Sequence, residues 1–170
     1  MVDEVIKIAL KEKHGDLNFN DLLTFMESSE IEFKARKLRG PMGIATYFCI
    51  YLDLDKIDTY HDQMLFFVIL HEIAHYKRIA RVGKEHIIKM LSLEDFEEFC
   101  NHVITEEIIA DRYGCYVFYL LNKIIFPRGA TQQLEIDYRR VQYKHTAKHL
   151  FGQVQNNEEN YKRILESFLA

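Results

Sequence analysis

The chain has 170 residues, 48% of them apolar and 28% charged, with a formal net charge of −4, two prolines and seven glycines. That length buries a core in a single domain, residues 1–170, without help from disulfides, and so little proline and glycine excludes long low-complexity segments. The negative balance gives no electrostatic ground for direct nucleic-acid binding or for an anionic membrane as partner.

Residues 3–13 carry Val5, Ile6, Ala9 and Leu10 at helical spacing and predict a short amphipathic helix ended by Gly15. Asn18 or Asn20 is placed to cap a second helix running to about Met26. Residues 30–37, EIEFKARK, alternate Ile31, Phe33 and Ala35 with charges and predict a half-buried strand. LRGPMG, residues 38–43, reads as a turn. A longer strand over 43–54 follows, with Ile44, Thr46, Phe48, Ile50, Leu52 and Leu54 on one face, and the two strands are expected to form a hairpin. Residues 55–61 are a connection.

Asp62 or Thr59 then caps a helix expected to reach about Arg81 and to stop at Gly83. Lys77, Arg78 and Arg81 suit the negative end of its dipole. Further helices are expected over 92–102 with Ser92 as cap, over about 105–125 ended by Pro127, and near 131–150 and 158–169. The whole reads as α+β: mainly helical, with a small β-sheet before the helix that starts near residue 62.

Three cysteines, Cys49, Cys100 and Cys115, are odd in number, widely spaced and without a CxxC pair, which fits reduced thiols. The acidic opening Val2-Asp3-Glu4 does not read as a signal peptide, and the apolar run 113–121 is too short to span a bilayer. The expected compartment is the cytoplasm.

The helix over 62–81 contains FFVILHEIAHYKR, residues 66–78. HEIAH is H-E-x-x-H. On a helix, His71 and His75 lie one turn apart on the same face, where a single Zn²⁺ can take both imidazoles. Glu72, one residue along, is badly placed as a further ligand of that ion and well placed to take a proton from metal-bound water. A helix with two half-buried histidines and a solvated glutamate is the alternative without chemistry.

A zinc site that keeps a position for water needs a third protein ligand. A histidine six residues beyond His75 would complete one known pattern, but position 81 is Arg81. EEIIADRYGC, residues 106–115, offers a glutamate instead. Glu107 and Asp111 share a helical face with Ala110 and Gly114, whose small size lets that helix approach the HExxH helix. Asp111, one turn beyond Glu107, can accept the spare N–H of a ligand histidine and fix its tautomer. Glu106 competes with Glu107 for the metal, but its partner four residues on is Ala110, which accepts no side-chain hydrogen bond. Glu107 is therefore the expected ligand. An exposed acidic helix face is the plainer reading of the same pair.

HEIAH followed some thirty residues later by E-x-x-A-D, after the strand CIYLDLD and the apolar lead-in LFFVIL, resembles the gluzincin metallopeptidases, and within them the ImmA/IrrE-like family. The resemblance spans roughly residues 40–121. It implies a zincin-like metallopeptidase fold with His71, His75 and Glu107 as zinc ligands, Glu72 as catalytic base and Asp111 orienting a histidine. It also implies proteolysis of a specific intracellular protein, often a helix-turn-helix transcriptional regulator. The chain departs from the family where many members carry an apolar segment closed by proline: here Leu120-Leu121 is followed by Asn122-Lys123.

The expectation is thus a zinc-dependent endopeptidase acting on a protein or peptide substrate. The alternative is a catalytically inactive metal-binding module that acts by binding a partner, which a fourth ligand such as Cys100 or His102 would favour. The strand over 44–54 is a candidate to pair with an extended substrate. Tyr113, Tyr138, Tyr143, His145 and His149 can each donate a hydrogen bond to a developing oxyanion, and nothing in the sequence chooses among them. Arg78 shares the face of His71 and His75 and could face a cleft beside them, but the helix C-terminal dipole is its expected partner.

Overall fold

The computed structural model describes residues 1–13, 15–125 and 132–169, with side chains left out of the description at 132–140 and 156. Two short helices open the chain, α1 (Glu4–Lys11) and α2 (Phe19–Ser28). Three short strands follow: β1 (Glu32–Ala35), β2 (Gly43–Ala45) and β3 (Cys49–Leu52). Six helices complete the described fold: α3 (Leu54–Thr59), α4 (Asp62–Val82), α5 (Lys84–Leu91), α6 (Phe96–Asn122), α7 (Gln132–Asn156) and α8 (Glu158–Leu169). The architecture is α+β and mostly helical, as the sequence pattern implies.

The sheet differs from the expected hairpin. Its order is β1-β3-β2, so β3 is central, parallel to β1 and antiparallel to β2. The hairpin is β2–β3, inside what reads as one long strand. Thr46 breaks that strand: its Oγ1 donates to the Cys49 carbonyl (2.9 Å) and accepts from the N–H groups of Cys49 (3.1 Å) and Phe48 (3.3 Å). A short hydroxyl that satisfies its own neighbours' backbone stabilises a turn against an extended strand. Phe48, which would be buried in an unbroken strand, is 53% exposed at its tip.

Other boundaries shift for equally local reasons. Asp53 accepts from the Asp55 N–H (3.2 Å) and caps α3, a helix in the stretch read as a connection. His61, rather than Asp62 or Thr59, caps α4, its Nδ1 accepting from Gln63 N–H at 3.3 Å. Gly83 ends α4 as expected, at φ 81°, and the chain turns there directly into α5. Ser92 closes α5 instead of opening the next helix. Asp95 caps α6, accepting from Glu98 N–H at 2.7 Å. α6 then runs unbroken through the β-branched stretch Val103-Ile104-Thr105 to Lys123, whose left-handed backbone (φ 56°) ends it. Pro127, the expected stop, lies outside the described residues.

Two apolar clusters flank α4. One joins α1, α2, the sheet, the first half of α4 and the end of α6, with Phe33, Phe66 and Phe118 fully buried. The apolar run before His71 belongs here: Leu65, Phe66, Ile69 and Leu70 have no exposed surface. The other joins α5, the start of α6, α7 and α8 around Leu91, Phe99 and Ala147. α4 packs most extensively against α6. Among the described residues no helix is long and apolar enough to cross a membrane.

Candidate metal centre

His71 and His75 leave α4 on one face, and Glu107 meets them from α6. The two imidazole Nε2 atoms are 2.9 Å apart, and Glu107 Oε2 lies 3.2 Å from His71 Nε2 and 3.5 Å from His75 Nε2. Bonds of about 2.0–2.1 Å in a tetrahedral zinc site place neighbouring donor atoms roughly 3.3–3.4 Å apart. The observed triangle is within a few tenths of an ångström of that spacing, and its donor set, two imidazoles and a carboxylate, suits a divalent ion of the zinc type. These three residues can hold a metal ion, and neither Cys100 nor His102 joins them. Cys100 is buried in the second apolar cluster.

The approach of the two helices depends on small residues. Ala110 and Gly114 on α6 are buried. A Cβ added at Gly114 would lie 3.0 Å from Phe67 Cε2 and 3.5 Å from the backbone nitrogen of His71. With hydrogen alone at 114, α6 comes near enough for Glu107 to reach the imidazoles.

Asp111, 6% exposed, stands behind His71, with Oδ1 2.9 Å from His71 Nδ1. In the neutral imidazole that a metal requires, an N–H at Nδ1 directed to that carboxylate leaves the Nε2 lone pair facing His75 and Glu107. The other carboxylate oxygen accepts a 2.6 Å hydrogen bond from Tyr143 of α7. Tyr143 is one of the expected oxyanion donors; here its hydroxyl braces Asp111.

Glu72 points to the sheet side. Its Oε2 accepts from the backbone N–H of Ala45 on the edge strand β2, at 2.8 Å. Gly43 makes room, since a Cβ there would lie 2.8 Å from Glu72 Cγ and 3.2 Å from Leu52 Cδ2. Neither Gly43 nor Ala45 stands out as a site residue in the sequence. A glycine where a turn passes into a strand, with side chains of other elements close against it, is the one local signal of this contact.

The charges fit this geometry. Burial alone would lower the pKa of His71, but the Asp111 and Glu107 carboxylates outweigh it and push it up to about 10. Burial would raise that of Glu107, but the two imidazoles outweigh it and hold the carboxyl well below the usual range. Burial pushes Glu72 up, against the pull of both histidines and the Ala45 N–H.

The competing residues are accounted for. Glu106 is engaged by Arg78, whose Nε lies 3.0 and 3.2 Å and whose Nη2 lies 3.0 Å from its carboxylate oxygens. Arg78 thus faces α6 rather than serving its own helix end. Tyr113 Oη accepts from Lys77 Nζ at 3.0 Å. His145 and His149 line a separate cavity on α7. The side chain of Tyr138 lies outside the described residues.

A cavity of about 240 Å³ opens beside two of the donors, lined by His75, Glu107, Ile79, Ile87, Val103 and Phe168 among others. No protein-family model, curated protein or solved structure matches this chain.

Proposed function

We propose that the chain is a zinc-dependent endopeptidase of zincin-like build that hydrolyses a peptide bond in a protein or peptide. The observation that carries this reading is the meeting of His71, His75 and Glu107 from two helices, with the Glu72 carboxylate fixed beside them. His71, His75 and Glu107 would hold the ion. When bound, it would lower the pKa of a water and polarise the scissile carbonyl.

The chain's own residues supply the rest. Asp111 keeps a proton at His71 Nδ1 and so keeps Nε2 available as a ligand; Tyr143 keeps Asp111 in place. Glu72 takes a proton from the attacking water and returns it to the leaving amine. Burial favours the protonated form in which Glu72 hands the proton on. The Ala45 N–H holds one of its oxygens and leaves the other to act. The edge that begins at β2 and continues into the turn after it, beside Glu72, would pair with an extended substrate through groups other than the Ala45 N–H.

The test combines metal analysis with cleavage of a mixed peptide library. The expected result is one zinc per chain, cleavage abolished by a chelator, and a Glu72→Gln variant that keeps zinc and loses at least about a hundredfold in rate. Unchanged cleavage by Glu72→Gln would remove Glu72 from the mechanism. Zinc bound with no cleavage of any peptide would favour the partner-binding module instead.

A further inference from the structure

The outer edge of β2 and of the turn that follows it is already occupied. Thr46 N–H donates to the Cys49 carbonyl and so faces β3. The N–H groups of Ala45, in β2, and of Tyr47, in the turn after it, both find partners away from β3. Ala45's goes to Glu72. Tyr47's donates to the carbonyl of Phe168 at 2.8 Å. Phe168 belongs to the last turn of α8, whose carbonyls have no partner within the helix.

The same residue reaches the metal side. Phe168 lines the 240 Å³ cavity that His75 and Glu107 also line. An extended chain laid along β2 would compete for the Tyr47 N–H and pass across Phe168. A helix end on a sheet edge is a known way to block strand addition.

α8 is held unevenly along its length. Ile164 is buried in the second apolar cluster, whereas Glu166 and Ser167 are exposed and Phe168 and Leu169 half-buried. Leu165, Phe168 and Leu169 pack against that cluster only as half-buried residues, so the turn beyond Ile164 has no fully buried anchor of its own. The turn that carries Tyr47 is fixed from the other side, with Lys84 Nζ 4.8 Å from the centre of the Tyr47 ring and 5.1 Å from that of Phe48.

We propose that the last turn of α8 is a self-blocking strap, which stands where a bound polypeptide would run and must move aside before one is engaged. The strap rests on the peptidase reading of the site. It lowers apparent substrate affinity in proportion to the fraction of molecules in which it is closed.

The experiment uses the full chain, loaded with zinc, and the variants Phe168→Ala and Phe168→Leu. Phe168→Ala is expected to cleave a mixed peptide library with kcat/KM raised roughly tenfold and zinc affinity unchanged. Phe168→Leu, which refills the wall, is expected within about threefold of the parent and controls for folding. Amide exchange supplies a second readout: the Tyr47 N–H exchanges slowly in the parent and roughly tenfold faster in Phe168→Ala, while Ala45 N–H is unaffected. Cleavage by Phe168→Ala that equals or falls below the parent's, with zinc retained, overturns the strap. If no form of the chain cleaves, the peptidase reading fails, and the exchange data decide whether the turn closes over β2. A Tyr47 amide that is unprotected in the parent, or equally protected in both, overturns it.

Discussion

The backbone N–H of Ala45 holds the carboxylate of Glu72 at 2.8 Å, so that an edge strand and the HExxH helix are joined at the one acidic group proposed to move protons. The contact is possible because Gly43, two residues earlier, has no side chain where the strand crosses Glu72.

Gly43→Ala tests that relationship. The added Cβ meets Glu72 Cγ, near the base of the side chain, so Glu72 cannot swing its tip aside to relieve the clash. The expected cost is about 1–3 kcal/mol in stability, the usual range for overpacking. Peptide cleavage is expected to fall roughly ten- to a hundredfold, because Glu72 loses its fixed position. Zinc content, measured by mass spectrometry, is expected to stay at the parent value. A variant with full cleavage would mean that the Ala45 contact does not matter.

The support behind His71 predicts a graded series in zinc affinity. Asp111→Ala removes the acceptor at Nδ1 and is expected to weaken zinc binding by about ten- to a hundredfold. Tyr143→Phe leaves Asp111 present and removes one hydrogen bond, with an expected loss of about 0.5–1.5 kcal/mol, or roughly two- to tenfold. Competition with a chromophoric chelator measures both. Equal affinities in the two variants would contradict the order Tyr143, Asp111, His71.

At Gly114 two effects oppose each other. Replacing a mid-helix glycine by alanine gains about 0.5–1 kcal/mol in helix stability. The new Cβ meets Phe67 Cε2 at 3.0 Å, and overpacking costs about 1–3 kcal/mol. The clash is expected to win. Thermal melting of Gly114→Ala should fall by a few degrees, at about 2–4 °C per kcal/mol for a chain of this size. Gly114→Val should fall further and also lose zinc affinity, as α6 carries Glu107 away. A Gly114→Val that melts above the parent would sink this account of the helix pair.

The charged pair in the metal-free site gives a pH dependence of definite sign. His71 has a folded pKa near 10 against an ordinary 6.5. Its contribution is complete below about pH 6.5 and disappears as pH rises through about 10. Glu107 is shifted down from an ordinary 4.5. Its contribution is complete above that value and is lost as pH falls through the folded pKa. The metal-free protein is therefore expected to gain most from this pair at about pH 4.5–6.5 and to lose that gain towards pH 10. Melting in chelator across pH 6–9 should show the decline, and Glu107→Gln should reduce it in part, since Asp111 still holds the His71 proton. The melting-temperature difference between zinc and chelator should widen over the same range, since zinc then displaces fewer protons. A difference that narrows with rising pH would refute the assignment.

The parts of the fold legible in the sequence are those set by local chemistry. Amphipathic spacing gave α1, the caps at Asn18 and Gly83 gave one end each of α2 and α4, and the apolar run to Leu70 marked a helix buried on one core. What was misread has local causes that compete with periodicity. Thr46 turns a stretch whose alternation continues straight through it. Val103-Ile104-Thr105 stays helical because tertiary packing outweighs a weak propensity. The parallel β1–β3 pairing joins strands separated by β2, and no periodicity reports which strands become neighbours.

The sequence by itself determined the donor types and their helical faces: His71 with His75, and Glu107 with Asp111, because residues four apart on a helix must share a side. Only the tertiary structure decided that the two faces meet. It also brought Ala45 to Glu72, Tyr143 to Asp111 and Phe168 to Tyr47. Those contacts depend on how close two backbones come and which surfaces are buried together, and both are set by packing across the whole chain rather than by any local run of residues.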